Sequence, residues 1–175
     1  VSEDDIPVLR RFSLEGRVAL VTRASGGLGA GFAFALAQAG ADAVLAARRR
    51  DKLEDTSREV RRLGRSVLAV ETDVTDPAAY SASKAGLIGL TGDLNQQWSG
   101  RRGIRVNAVA PGCFRSEMTQ AVPPEQLGDF IANMSTLGRI GEQYELDAAI
   151  VFLASPASSY IAAVTLAVDG GMSGH

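Results

Sequence analysis

Cysteine and histidine are almost missing from this 175-residue chain, which holds one of each, Cys113 and His175. A lone cysteine excludes an intrachain disulfide and a thiolate metal cluster. A lone terminal histidine leaves no material for His-based triads or histidine metal sites, so no metal is expected. A large charge of either sign is also missing. Eighteen Lys and Arg face 20 Asp and Glu, for a net charge of −2. Bulk charge therefore draws the protein to neither nucleic acid nor an anionic membrane. Arginines at 48–50, 61–62 and 101–102 are too short as runs to make a basic recognition patch and read as solvated helix ends. No apolar run reaches membrane-spanning length, and the opening VSEDDIPVLR lacks the apolar core of a secretory leader. With one unpaired cysteine this suits a reducing compartment, and a cytoplasmic protein is expected.

What is present is ordinary globular material: 46% hydrophobic and 22% charged residues, enough for one core. The length predicts a single domain over 1–175, with 1–13 as a polar lead-in. RVALVT (17–22) is a short buried-type strand, followed by a glycine-rich turn and an Ala-rich helix from Ala30 to Gly40. AVLAAR (43–48) is a second strand, Asp51 to Leu63 a charged amphipathic helix closed by Gly64, and SVLAVETD (66–73) a third strand. Such β-α-β-α-β alternation predicts an α/β fold, a Rossmann-type doubly wound parallel sheet with helices on both faces. The rhythm then breaks. Tyr80 opens a helix of some nineteen residues, IRVNAVAPG (104–112) is a buried strand, and 113–140 holds a Pro-Pro turn and short helices. Glu145 to Leu153 is a helix and TLAVDGG (165–171) a last strand and turn.

Two features carry chemistry. The first is Ser25-Gly26-Gly27-Leu28-Gly29, between a buried strand and a helix. Such a turn aims free backbone N–H groups and a positive helix end at a pyrophosphate, and glycine permits close approach. At the end of the second strand, where an acid on the adenosine ribose marks NAD preference, the chain has Ala47, Arg48 and Arg49. A guanidinium there favours the 2′-phosphate of NADP, with NAD also possible, against the plainer reading that Arg48 starts a solvated helix. The second feature is Tyr80 and Lys84, four apart on a predicted helix and so on one face. A phenol with pKa near 10 is a poor acid–base at neutral pH, and a neighbouring ammonium lowers it. The phenol can then give a proton to a carbonyl oxygen as hydride arrives, or take one from an alcohol.

With these residues in this order the chain resembles the classical short-chain dehydrogenase/reductases. LEGRVALVTRASGGLG resembles their opening strand and Thr-Gly-x-x-x-Gly-x-Gly motif. TDVTD (72–76) resembles the segment bordering the adenine, YSASKAGLIGLT the catalytic helix, and IRVNAVAPGCFRSEMT the strand and Pro-Gly loop at the nicotinamide. GRIGEQYELDAAIVFLASPASSYI and TLAVDGG resemble the C-terminal helix and last strand. The resemblance implies an oxidoreductase interconverting an alcohol and a ketone with NADP or NAD. Tyr80 is implied as acid–base, and Lys84 as the group that lowers its pKa and holds the nicotinamide ribose. Ser25, Gly27, Leu28 and Gly29 are implied at the phosphates. Asp73 and Val74 fall at the adenine, and Pro111, Gly112, Phe114 and Ser116 at the nicotinamide. The implied partners are a small-molecule alcohol or carbonyl substrate and further copies of the chain, as a homodimer or homotetramer.

The pattern fails at four places. Arg23 stands at the first glycine of the motif. If that turn needs φ > 0, Arg costs about 1–3 kcal/mol or displaces the cofactor; alternatively, Arg23 supplies charge to a phosphate. The Asn-Asn-Ala-Gly strand end and the strand with the catalytic serine are both absent, since only residues 74–79 separate Asp73 from Tyr80. The family has two central strands and a long helix there, roughly 60–80 residues. Seven peptide steps reach at most about 25 Å, which can bridge the gap without replacing that core. No serine takes the catalytic role; Ser81 and Ser83 match variable positions of the helix motif. Lastly, Ala162-Ala163 replaces a common Thr-Gly, a small change to a turn. The competing expectation is therefore an impaired or inactive remnant that binds nucleotide weakly or packs with a homologue.

Overall fold

The structure is a computed structural model that describes residues 6–71 and 80–174, except for the side chains of residues 80–86, 101, 117 and 118. The first half is β1 (Val18–Thr22), α1 (Gly27–Gln38), β2 (Asp42–Ala47), α2 (Arg50–Arg62) and β3 (Val67–Glu71). These strands form a parallel sheet in the order β1-β2-β3, with Leu20 beside Val44 and Val44 beside Leu68. The second half is α3 (Tyr80–Arg102), β4 (Ala108–Pro111), α4 (Glu117–Gln120), α5 (Pro124–Met134), α6 (Gln143–Ala154) and β5 (Thr165–Val168). Here β4 and β5 pair in parallel as a separate two-stranded sheet. This is the expected Rossmann-type α/β arrangement with its centre missing. Among the described residues β1 pairs only with β2, and β4 only with β5.

Alternation along the strands decides where the core lies. Val21, Ala43, Leu45 and Ala47 point to one face and meet Leu36 of α1 and Leu53 and Val60 of α2. Leu45, Leu53 and Val60 are almost wholly buried, which is worth about 1.5–3 kcal/mol for each side chain. The small residues Ala33 and Ala37 let α1 sit close to the strands. On the opposite face Val18 and Leu20 are 68% and 69% exposed and Leu68 60%.

The two halves meet through helices. α1 packs against α6 so closely that a Cβ on Gly31 would fall 2.3 Å from the Gln143 side chain, and Ile150 of α6 reaches the first core. The lead-in is not only polar chain: Val8–Phe12 form a 3-10 turn, and the Phe12 ring packs on Phe152 with centroids 6.1 Å apart. That contact joins residues 140 positions apart.

Most element boundaries agree with the sequence reading to within a few residues. Two differ for clear reasons. The strand expected over 104–112 starts only at Ala108. In the stretch before it, the Arg105 guanidinium donates to the carbonyls of Leu153, Ser155 and Ile161 and to Ser158 Oγ. Asn107 Nδ2 donates to Ile161 O and its Oδ1 accepts from Val164 N. Side chains thus do there what a strand ladder would do. α3 runs one turn past Trp98 to Arg102 and stops at Gly103, whose φ is +64°.

Candidate dinucleotide site

The site candidates fall into two groups, one in each half. The first is the turn between β1 and α1. Arg23 has φ +56°, and Ala163 at the other noted departure has φ +60°. Among the described residues these are the two non-glycine residues in the left-handed region. Both stand where the family pattern carries glycine, so the backbone has kept a glycine conformation under a residue with a Cβ.

After Arg23 the turn is pinned at successive positions. Ala24 is completely buried, its N–H donates to Ala46 O at 3.3 Å, and Thr56 Oγ1 donates to its carbonyl at 2.8 Å. Arg49 Nη2 donates to Ser25 O at 3.2 Å. α1 then begins at Gly27 with no side-chain cap on its N-terminus. A Cβ on Gly27 would meet nothing within 4 Å, so the mouth of the turn is open. At Gly29 a Cβ would lie 2.5 Å from Arg23 O, so only glycine lets α1 approach the end of β1 this closely. An uncapped helix start behind an open glycine cradle fits an anionic group. Arg48 is exposed at the end of β2. Arg49 and Thr56, absent from the expected site, both reach the turn with their side chains; no local pattern marks contacts spanning 24 and 32 residues.

The second group follows β4. Gly112 N donates to Val168 O at 3.0 Å, and a Cβ on Gly112 would fall 2.6 Å from Asp169 Cα, so Pro111-Gly112 is clamped against the end of β5. Phe114 is buried, and its ring leaves no room for a Cβ on Gly141. Ser116 caps α4: its hydroxyl accepts from Thr119 N at 3.3 Å, while Thr119 Oγ1 accepts from Ser116 N at 2.8 Å. An open, mainly apolar hollow of about 450 Å³ adjoins Pro111, Gly112, Cys113, Phe130 and Asp169. Burial pushes the Cys113 thiol up, which disfavours its thiolate form. Asp169 is held below the usual carboxylate range by hydrogen bonds, first from the Ser173 side chain and then from the backbone N–H groups of its turn.

Tyr80 is the first residue of α3, and Lys84 is one turn on along the same helix. Their side chains, and those of Ser81 and Ser83, are outside the described set, as are Asp73, Val74 and His175. Among the described residues no cluster of His, Cys, Asp and Glu could hold a metal, and no helix is long and apolar enough to cross a membrane.

A nucleotide-type glycine turn on a parallel sheet and a Pro-Gly loop after a second parallel pair define a class, and sequence comparison agrees. The family model described as short chain dehydrogenase matches residues 17–79, and that described as Enoyl-(Acyl carrier protein) reductase matches 76–173. The chain belongs to the short-chain dehydrogenase/reductase family. The two matches meet at 76–79, where the pattern lacks its middle. Galactitol 2-dehydrogenase (L-tagatose-forming) of Cereibacter sphaeroides is 46% identical over 95 residues, 54% of this chain and 37% of that protein. A 3-oxoacyl-(acyl-carrier-protein) reductase of Vibrio harveyi is 43% identical over 93 residues, 53% of this chain and again 37% of the relative. The matched region thus spans little more than a third of these relatives. A solved structure from Agrobacterium tumefaciens with bound NADP superposes with a TM-score of 0.84 at 26% identity, covering 94% of this chain and 99% of that one.

Proposed function

We propose that the chain is an NAD(P)-dependent oxidoreductase, built as one domain, that interconverts an alcohol and a ketone by hydride transfer. The observation that carries this reading is the glycine turn: an open, uncapped helix start fixed against two strands and α2. Ser25, Gly27, Leu28 and Gly29 offer the phosphates backbone N–H groups. Arg48 and Arg49 follow β2 where an acid would favour NAD, so NADP is preferred, in keeping with the NADP bound in the Agrobacterium structure. Asp73 and Val74 serve the adenine, and Pro111, Gly112, Phe114 and Ser116 flank the nicotinamide. A bound nicotinamide supplies or accepts the hydride. Tyr80 gives the matching proton to the carbonyl oxygen or takes it from the alcohol, with its pKa lowered by Lys84. The substrate is a small alcohol or carbonyl compound, and the working form is a homodimer or homotetramer.

A second reading is favoured by the edges of β1 and β4 that no described strand shares and by the bare Val18 and Leu20 face: an impaired or inactive relative that binds nucleotide weakly or packs with a homologue. NADPH oxidation with a panel of ketones separates the two. Turnover that Tyr80→Phe lowers by about a hundredfold or more supports catalysis. No turnover, or turnover indifferent to that substitution, overturns it.

A further inference from the structure

We propose that Thr56 of α2 is a positioning residue that holds the glycine turn in its phosphate-receiving shape. This rests on the nucleotide reading above. Thr56 Oγ1 lies 2.8 Å from Ala24 O and 3.3 Å from Lys52 O in its own helix. A threonine within a helix ordinarily bonds back to the carbonyl four residues earlier. Here the shorter bond leaves the helix for the turn. Ala24 is fully buried, so water cannot replace the hydroxyl, and removing it leaves the carbonyl without a partner.

The turn needs this support. Arg23 sits at φ +56°, a conformation disfavoured for any residue with a Cβ. Strain of this kind persists only where the surroundings over-determine the backbone. Three bonds do so immediately after Arg23: Ala24 N to Ala46 O, Thr56 Oγ1 to Ala24 O, and Arg49 Nη2 to Ser25 O. Two of the three come from the start and second turn of α2. Arg49 is an exposed, long side chain, whereas Thr56 is partly buried with a short one, which makes Thr56 the stiffer pin. The second turn of α2 thereby fixes where the N–H groups of Gly27, Leu28 and Gly29 point.

The test compares the parent chain with Thr56→Val, which keeps the shape and removes the hydroxyl, and Thr56→Ser, which restores it. NADPH affinity is read by calorimetric titration, and amide hydrogen exchange is followed peptide by peptide. Thr56→Val is expected to weaken NADPH binding about five- to tenfold, the scale of one buried hydrogen bond. Exchange should accelerate over residues 23–29 but not over β4 and β5. Thr56→Ser should bind within about twofold of the parent. Unchanged NADPH affinity in Thr56→Val, with binding intact in the parent, overturns the positioning role and leaves the nucleotide reading standing. A parent chain that binds no NADPH overturns the nucleotide reading, and the positioning role with it.

Discussion

Replacing Arg23 and Ala163 by glycine, singly and together, probes the two places where the backbone holds a glycine conformation under another residue. Their φ values are +56° and +60°. The left-handed region costs an L-residue roughly 1–2 kcal/mol, and glycine gives back about 0.5–1 kcal/mol through the greater freedom of its unfolded chain. Each substitution should therefore stabilise by about 0.5–1 kcal/mol, or roughly 1–4 °C in Tm for a chain of this size. At position 163 nothing opposes this, because the bonds of the turn are made by backbone: Ala163 N to Val106 O at 2.8 Å and Ala108 N to Val164 O at 2.8 Å. The two sites belong to different halves and share no partner, so their effects should add within about 0.5 kcal/mol if the halves unfold as one unit. Equilibrium urea unfolding followed by circular dichroism gives both energies. Destabilisation by either substitution refutes the strain argument at that position. Two separate transitions, each moved by one substitution alone, refute the single-domain proposal.

Other consequences can be checked alongside. Arg23→Gly should also bind NADPH more tightly than the parent; weaker binding would show instead that the guanidinium reaches a phosphate. Gly29→Ala should destabilise by about 1–3 kcal/mol and abolish nucleotide binding, because the new Cβ would lie 2.5 Å from the fixed Arg23 carbonyl; an unaltered melting curve would contradict that close approach. Arg105→Met should cost roughly 2–4 kcal/mol, since three carbonyls and Ser158 Oγ each lose one hydrogen bond to the guanidinium; a loss below 1 kcal/mol in urea unfolding, the scale of an exposed polar contact, would show that the remaining donors and water take over. Glu145 is lowered from 4.5 to about 2, first by the hydrogen bond from Arg139 and then by the backbone N–H of Glu142. A lowered carboxylate stabilises above its unfolded pKa, and that stability is lost as pH falls through the folded value. Acid unfolding should therefore steepen between pH 4.5 and about 2, and Glu145→Gln should flatten the curve in that window.

The glycine turn was legible in the sequence because everything that makes it is local: a buried β-branched run, closely spaced glycines and an Ala-rich helix. β2, α2 and β3 were legible for the same reason. The stretch 104–107 was not, because a β-branched pattern cannot reveal that Arg105 and Asn107 tie the backbone to residues more than forty positions away. The Phe12–Phe152 contact was equally hidden. At the site, the family pattern marked Arg23 as a departure, and only backbone geometry showed that the turn still demands positive φ there. Arg48 and Arg49 could not be told apart by sequence, and the contact with Ser25 comes from Arg49. Ser116-Glu-Met-Thr119 is a capping pattern readable in the sequence, and the structure uses Ser116 to start α4.

The missing middle bears unequally on the two jobs proposed for this chain. The glycine turn is held by β1, β2 and α2, all from residues before 63, and every bond that pins it comes from that half. The Pro-Gly loop is held just as locally, by β5 and the Gly141 bridge. Neither needs the central strands for its own shape. Hydride transfer needs more, because the phosphate end and the nicotinamide end of one extended molecule must be held at a fixed separation. Among the described residues that separation rests on the packing of α1 with α6 and on the Phe12–Phe152 contact, with no strand shared between the sheets. Misplacing reacting groups by about 1 Å can cost a hundredfold in rate, whereas the turn proposed to receive the phosphates is held within the first half alone. Binding and turnover should therefore separate. NADPH affinity should persist in the chain as it stands, while kcat should respond to substitutions at the helix contact, such as Gly31→Leu, that leave the glycine turn untouched. Parallel loss of affinity and kcat in Gly31→Leu would show that the two halves are not independent.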